Sequence, residues 1–345
     1  MRPRNLRISL AGLRHSAICL AALALSAPAN AAQYTIIDAP GAQKGTLALA
    51  INASSAVTGW FRDAKGNYNA FVRAPDGTYT TFTAEGEQSE GVAINRDGAV
   101  AGVDFTDSLS FSHGFLRTPS GKIKPFDPED SNVVFVGGIN DKGAIAGTYW
   151  DSEIHPHAYL LARDGTLTAF DAPGSNNTEA NALNAKGDIA GVEFDSDNTA
   201  HGFVRLADGS FAEFDAPDAG KGGSLGTYAA AINAAGAVAG YAKTTSLSQR
   251  AFVRDAGGTL TEFDVPGASG LGAQGFAVNR RGEVTGSYID PQGRTRGFVR
   301  VPNGDIETFA LPNAKFTQPL GINDDGVIVG YFKDKTGNHG FLRAP

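Results

Sequence analysis

The 345-residue sequence has one cysteine, one methionine, two tryptophans and six histidines. After residue 31 no stretch approaches the roughly 20 apolar residues that a membrane-crossing helix needs. The single thiol, Cys19, sits in an N-terminal segment expected to be removed, so the mature chain offers no disulfide, no thiolate metal ligand and no cysteine nucleophile. Basic charge is also short. Beyond residue 31 there are 25 basic against 36 acidic residues, a balance of −11, which disfavours nucleic acid and anionic membranes as partners. Glycine is abundant by contrast, with 44 residues against 16 prolines. Glycine at that density marks many tight turns and argues against long helices, so turn-rich β structure is expected.

The N-terminus reads as an address. Arg2, Arg4, Arg7 and Arg14 precede an apolar run from Ala17 to Leu25, and Ala29-Asn30-Ala31 follows as a small-x-small site. That order is a secretory signal peptide over residues 1–31, with the mature domain at 32–345. Ile18 before Cys19 is too bulky for a lipoprotein box, and no membrane anchor is expected. The product is secreted or periplasmic.

Self-comparison yields a repeat. A small residue, an aliphatic and asparagine recur at Asn52, Asn95, Asn140, Asn184, Asn233, Asn279 and Asn323, spaced by 43, 45, 44, 49, 46 and 44 residues. A glycine stands seven positions after each, from Gly59 to Gly330. A second motif follows, as in Ala70-Phe71-Val72-Arg73 or His201-Gly202-Phe203-Val204-Arg205. Then comes a hairpin signal such as Asp208-Gly209 and a short strand ending in Phe-Asp, as at Phe214-Asp215. Each unit therefore predicts four short strands, here termed a to d. Seven such units predict an all-β fold, a seven-bladed β-propeller of four-stranded blades. The last unit stops after strand c, whereas Tyr34 to Asp38 resembles a strand d. The N-terminal strand is expected to pair with the last blade and close the ring, removing an exposed edge.

These units resemble the HAF-type extracellular repeats of bacterial secreted proteins, named after a His-Ala-Phe triplet. The triplet stands here as His113-Gly114-Phe115, His157-Ala158-Tyr159, His201-Gly202-Phe203 and His339-Gly340-Phe341, with Asn69, Arg250 and Arg296 at the histidine position elsewhere. The resemblance covers the whole mature chain. It implies export and a repeat fold, and no reaction.

Repeated residues are read as structural first. The seven asparagines are expected to bond the backbone of the turn after strand a. The arginines of strand c, Arg73 to Arg343, are expected to pair with aspartates or cover neighbouring aromatic rings. Asp63, Asp151, Asp195, Asp290 and Asp334, eleven after the asparagine, are turn formers, and the histidines take surface or packing roles. Glu193, Asp195 and Asp197 alternate oxygen ligands but lack the glycine and closing glutamate of an EF-hand loop. No catalytic residue, metal or cofactor is assigned.

Function is sought instead where the pattern breaks. Five positions before the asparagines stand Leu47, Glu90, Phe135, Glu179, Tyr228, Gln274 and Gln318, at the start of the innermost strands and near one channel mouth. Glu90, Glu179, Tyr228, Gln274 and Gln318 are the candidate ligand-binding residues. Asp104 and Glu193 join them because they replace aromatics nine positions after the asparagine. Trp60, Tyr149 and Trp150 are assigned to packing between blades. The expected function is a non-catalytic, monomeric binding module for an extracellular glycan or protein. The alternative is an extracytoplasmic polysaccharide hydrolase or lyase using Glu90 and Glu179 at the mouth.

Overall fold

A computed structural model describes residues 32–84, 88–105, 111–175 and 177–345. The expected signal peptide and Cys19 lie outside the described residues. The described chain is all-β, with 28 strands numbered in chain order and no helix among the described residues. Residues 32–345 form one unit.

The strands follow the sequence repeat. In the fourth unit, strand a is β14 (Asn177–Leu183), b is β15 (Ile189–Phe194), c is β16 (Ala200–Arg205) and d is β17 (Phe211–Phe214). Neighbours in this meander pair antiparallel, with Glu179 opposite Val192, Gly191 opposite Phe203 and Phe203 opposite Glu213. Four pairs of adjacent units are joined by single parallel bridges among the described residues, such as Ala200 to Gly226. The strands fall into three eight-stranded sheets and one four-stranded sheet. At the chain ends, β1 (Gln33–Ile37) pairs antiparallel with β28 (Asn338–Ala344), Ile37 standing opposite Gly340 as Phe214 stands opposite Gly202. The segment from Tyr34 thus takes the strand d place that the last unit leaves open.

Strand a carries a register shift at the same place in all seven units, between Ala180 and Ala182 in the fourth. An extra residue in one strand bends it, and here it turns the end of strand a toward the asparagine. The glycine seven positions on explains itself at this point. A Cβ on it would stand 1.9–2.1 Å from the carbonyl oxygen of the residue five before the asparagine, in every unit. The aromatic of strand c fills the same space. The rings of Phe115, Phe203 and Phe252 come within 2.4–2.7 Å of that missing Cβ. These rings, with Phe71, Tyr159, Phe298 and Phe341, are fully buried, each worth about 1.5–3 kcal/mol over exposure. The apolar clusters lie between neighbouring units: Ala146 and Ala158 of the third pack with Ala180, Ile189 and Phe203 of the fourth. One cluster joins Ile37, Val57 and Phe71 to Val329 of the last unit.

The asparagines do more than hold their own turns. Asn140 Oδ1 accepts from the Lys142 and Ala144 N–H groups at 3.0 Å. Its Nδ2 leaves the unit and donates to the Asn184 carbonyl at 3.2 Å. Each asparagine repeats this toward the next, from Asn52 to Asn95 and so on to Asn323. Asn323 then donates to the Asn52 carbonyl at 3.4 Å. All seven side chains are buried, where an unmade hydrogen bond costs about 1–3 kcal/mol. Asn140→Asp keeps the turn acceptors and sets an oxygen against the Asn184 carbonyl. It is expected to cost about 2–4 kcal/mol, seen as a fall of roughly 5–15 °C in a thermal melt.

Candidate functional site

Strand a has two ends, five residues and about 17 Å apart. At its start, cross-strand register pairs the candidate position with strand b: Glu179 with Val192, Tyr228 with Tyr241, Gln274 with Ser287, Gln318 with Tyr331. Glu90, Glu179, Tyr228, Gln274 and Gln318 are all half-buried there. Three of them come together. Tyr228 stacks on Tyr241 with ring centres 5.0 Å apart, and Lys243 Nζ lies 4.2 Å from the Tyr228 ring centre and 3.1 Å from its hydroxyl. The Tyr228 hydroxyl donates to the Ser224 carbonyl at 2.6 Å. Burial and the Glu179 charge push the Tyr228 phenol up to about 12. Tyr241 is raised likewise, by burial first, and hydrogen-bonds Gln274. Burial lowers the Lys243 pKa while the nearby Glu179 charge opposes that fall. Glu179, Tyr228 and Gln274 are therefore one cluster whose link is Tyr241 and Lys243, two residues the sequence reading missed. Gln318 stands apart, 3.4 Å from the Tyr331 hydroxyl.

Glu90 is a separate case. Burial alone holds its carboxyl up to about 7. Glu179 is also raised by burial, with Lys243 pulling it back. Neither carboxyl perturbs the other, as expected of groups in the second and fourth units.

Asp104 and Glu193 lie at this end too, opposite Ser89 and Thr178 of strand a, one step along the ladder from Glu90 and Glu179 and so on the other face of the sheet. Both are buried on strand b, opposite His113 and His201 in register. Burial and the neighbouring Glu213 raise the Glu193 carboxyl, against the pull of His201. The histidines themselves are strand ties. His201 meets Asp215 at 3.0 Å through Nδ1 and Asp195 at 3.4 Å through Nε2, and His157 does the same with Asp171 and Asp151. Burial opposes their charging, but the flanking carboxylates outweigh it and raise both pKa values. Arg296 makes the corresponding contact with Asp290 at 3.0 Å. In the last unit His339 meets Asp38, which follows β1, at 2.8 Å.

One packing assignment needs correction. Trp150 is not enclosed between units: it is 38% exposed and packs on Phe135, itself 46% exposed, at 5.7 Å. Ile154, in the turn that follows, is 68% exposed with φ of 68°, a strained backbone for a β-branched residue. Leu247 repeats the feature in the fifth unit, 73% exposed at φ 62°. Both turns join strands b and c, at the same end as Glu179 and Tyr228. This end thus carries exposed aromatic and aliphatic groups beside carboxylates, amides and a half-buried lysine.

The asparagine end is different. A cavity of about 270 Å³ is lined there by the seven asparagines and the aliphatic residue before each. Its polar atoms are committed to the relay, and its rim holds two ion pairs, Arg96 with Asp141 at 3.5 Å and Arg280 with Asp324 at 3.6 Å.

Solved structures of known proteins share this architecture. Virginiamycin B lyase from Staphylococcus aureus aligns over 91% of this chain and 100% of its own, at 16% identity and TM-score 0.60. The β-propeller domain of the Trilobed protease from Pyrococcus furiosus, described as having an open velcro topology, covers 87% of this chain and 95% of its own at 10% identity and TM-score 0.61. The fold is that of a β-propeller. TolB from Acinetobacter baumannii also aligns, over 78% of this chain and 64% of its own, at 13% identity and TM-score 0.51. No family model and no curated protein matches the sequence. At such identities the likeness extends to the propeller fold alone.

Because the folded-state pKa of Glu90 lies above its ordinary value, its contribution to stability is complete below about pH 4.5 and is lost as pH rises through about 7. At about 1.4 kcal/mol per unit, the loss is on the order of 3 kcal/mol. Glu90→Gln is expected to remove it. Melts of both proteins between pH 4 and 9 should diverge with rising pH, the wild type losing ground; parallel curves would contradict the burial of this carboxyl.

Proposed function

We propose that the chain is a seven-bladed β-propeller closed through β1, related to the HAF-type repeats. It is exported by residues 1–31 and works outside the inner membrane as a non-catalytic binding module for a glycan or a protein. Closure is supported by the Asn323 to Asn52 hydrogen bond, by the β1–β28 pairing, by the His339–Asp38 contact and by the cluster that packs Val329 against Ile37 and Phe71.

The observation that carries the binding reading is the composition of one end. Exposed Phe135 and Trp150 offer stacking faces, and the Tyr228–Tyr241–Lys243 group with Glu179 and Gln274 offers directed hydrogen bonds. Sugar rings need both. The hydrolase or lyase reading has one observation of its own, the Glu90 carboxyl raised to about 7. Against it, a glycosidase pair acts on one bond from roughly 5–9.5 Å, yet Glu90 and Glu179 do not feel each other's charge and Glu179 answers to Lys243.

Glycan-array binding of the wild type, of Trp150→Ala and of Tyr228→Ala tests the reading. Each substitution is expected to weaken binding about tenfold or more, while Glu90→Gln/Glu179→Gln leaves binding within a fewfold and no bound glycan is cleaved. Cleavage by the wild type that disappears in the double variant would replace the binder with the enzyme. Closure has its own test: removing residues 33–40 discards Ile37, the β1 ladder and Asp38, and should lower the melting temperature by roughly 10 °C or more. An unchanged melt would refute it.

A further inference from the structure

The strand c arginines share one arrangement. Arg117 lies over Phe82, Arg205 over Phe170, Arg254 over Phe214, Arg300 over Phe263 and Arg343 over Phe309, each guanidinium carbon 4.6–4.9 Å from the ring centre of the preceding unit's strand d. The third unit breaks this series. Leu161 stands at the arginine position, and Phe126, the ring that an arginine there would cover, lines an open cavity of about 390 Å³ together with Leu161.

The rest of the socket is still present. In five other units an arginine nitrogen lies 3.2–3.9 Å from where a Cβ on the following turn glycine would stand, at Gly77, Gly121, Gly209, Gly258 and Gly304. At Gly165, the equivalent residue of the third unit, nothing lies within 4 Å of that point. In the first and fourth units the aspartate just before this glycine, Asp76 or Asp208, feels the charge of the arginine. Asp164 holds that place in the third, where its carboxylate accepts from the Thr166 N–H of its own turn at 2.9 Å. Arg163, two residues beyond Leu161, does not restore the stack, for its stem runs 3.8 Å from the Cβ position of Gly143 on the cavity rim.

From the uncovered Phe126 ring, the vacant space above Gly165 and the Asp164 carboxylate, we infer that this cavity is a receptor for an arginine side chain supplied by another polypeptide. The chain fills the same socket with its own guanidinium elsewhere, so it displays the fitting group: a flat cation lying on an aromatic face with a carboxylate at its edge. Lys124 and Lys142 also reach the rim and set the competing possibility, an aromatic carboxylate. The cavity touches the turn after strand a, at the opposite end from Glu179 and Tyr228. The inference is therefore independent of the binding function proposed for that end.

The probe is N-acetyl-arginine amide, titrated into the full mature chain and followed by the amide signal of Gly165 and the methyl signals of Leu161. Saturable shifts at both are expected. The citrulline analogue, which has the shape without the charge, should bind at least tenfold more weakly, and Asp164→Asn should weaken the arginine probe severalfold. Leu161→Arg restores the repeat and should abolish the response at an equal or higher melting temperature. If that variant does not fold, Phe126→Leu, which keeps the apolar volume and removes the ring, should weaken the probe about fivefold or more. Equal response to the citrulline analogue, a preference for benzoate, or arginine shifts that persist in Leu161→Arg or Phe126→Leu would overturn the inference.

Discussion

The amide hydrogen bond that each unit sends to the next is the constraint on which the rest depends. A buried Nδ2 must find an acceptor, and the acceptor for Asn140 is a carbonyl that exists only when the following unit is in place, at Asn184. The turn after strand a therefore has two tasks for one side chain. Oδ1 folds the turn locally, and Nδ2 ties it to a neighbour 43 to 49 residues away in sequence. Strand a must deliver the asparagine to that spot, which accounts for the register shift before it in every unit. The bent strand then approaches strand b so closely that only glycine fits seven positions later, and the buried ring of strand c occupies the room that glycine leaves. One hydrogen bond thus fixes three repeated residues.

Such a scaffold leaves few positions free to vary, and the variation concentrates at the two ends. At the start of strand a the seven units carry Leu47, Glu90, Phe135, Glu179, Tyr228, Gln274 and Gln318, none of which the relay needs. At the other end the Arg-on-Phe stack is kept in five units; in the first Arg73 lies over its own Tyr79 instead, and in the third Leu161 replaces the arginine altogether. The stack is an inter-unit contact, so its loss opens a cavity without breaking a strand ladder; Leu161 remains paired with Ile145 and Leu167.

What the sequence made legible was what repeats within a unit. Strand order, the Asx turn and the aspartate turns at Asp151 and Asp195 are local, and their residues sit close together in the chain. The pairing of Tyr34 to Asp38 with the last strand c was legible for another reason, since a missing strand d and a spare one could be matched by pattern. Contacts between units were less visible. The arginines left aspartate pairing and ring stacking equally open, and stacking prevails because strand d of the preceding unit presents its phenylalanine. Trp150 reads in the sequence as packing between blades, yet its place opposite Val133 at the start of strand a leaves it at the rim. Tyr241 and Lys243 gave no signal because they matter only through Tyr228 and Glu179 across the sheet and the unit boundary.

Glu90 and Glu179 show how far repeat position governs chemistry. Both stand five residues before their asparagine, on the strand a of their own unit and half-buried, and burial raises both carboxyls. They part because of the next unit. Ten positions after its asparagine, the unit following Glu179 carries Lys243, whose ammonium offsets part of the cost of an ionised carboxylate in a dry site. The unit following Glu90 carries Trp150 at that position, which offers a ring and no charge. Equivalent backbone sites thus hold carboxyls that ionise differently, and the difference is written in the neighbour. The chemistry of such a position is therefore set at the boundary between units, by pairs such as Glu179 and Lys243, 64 residues apart in the chain.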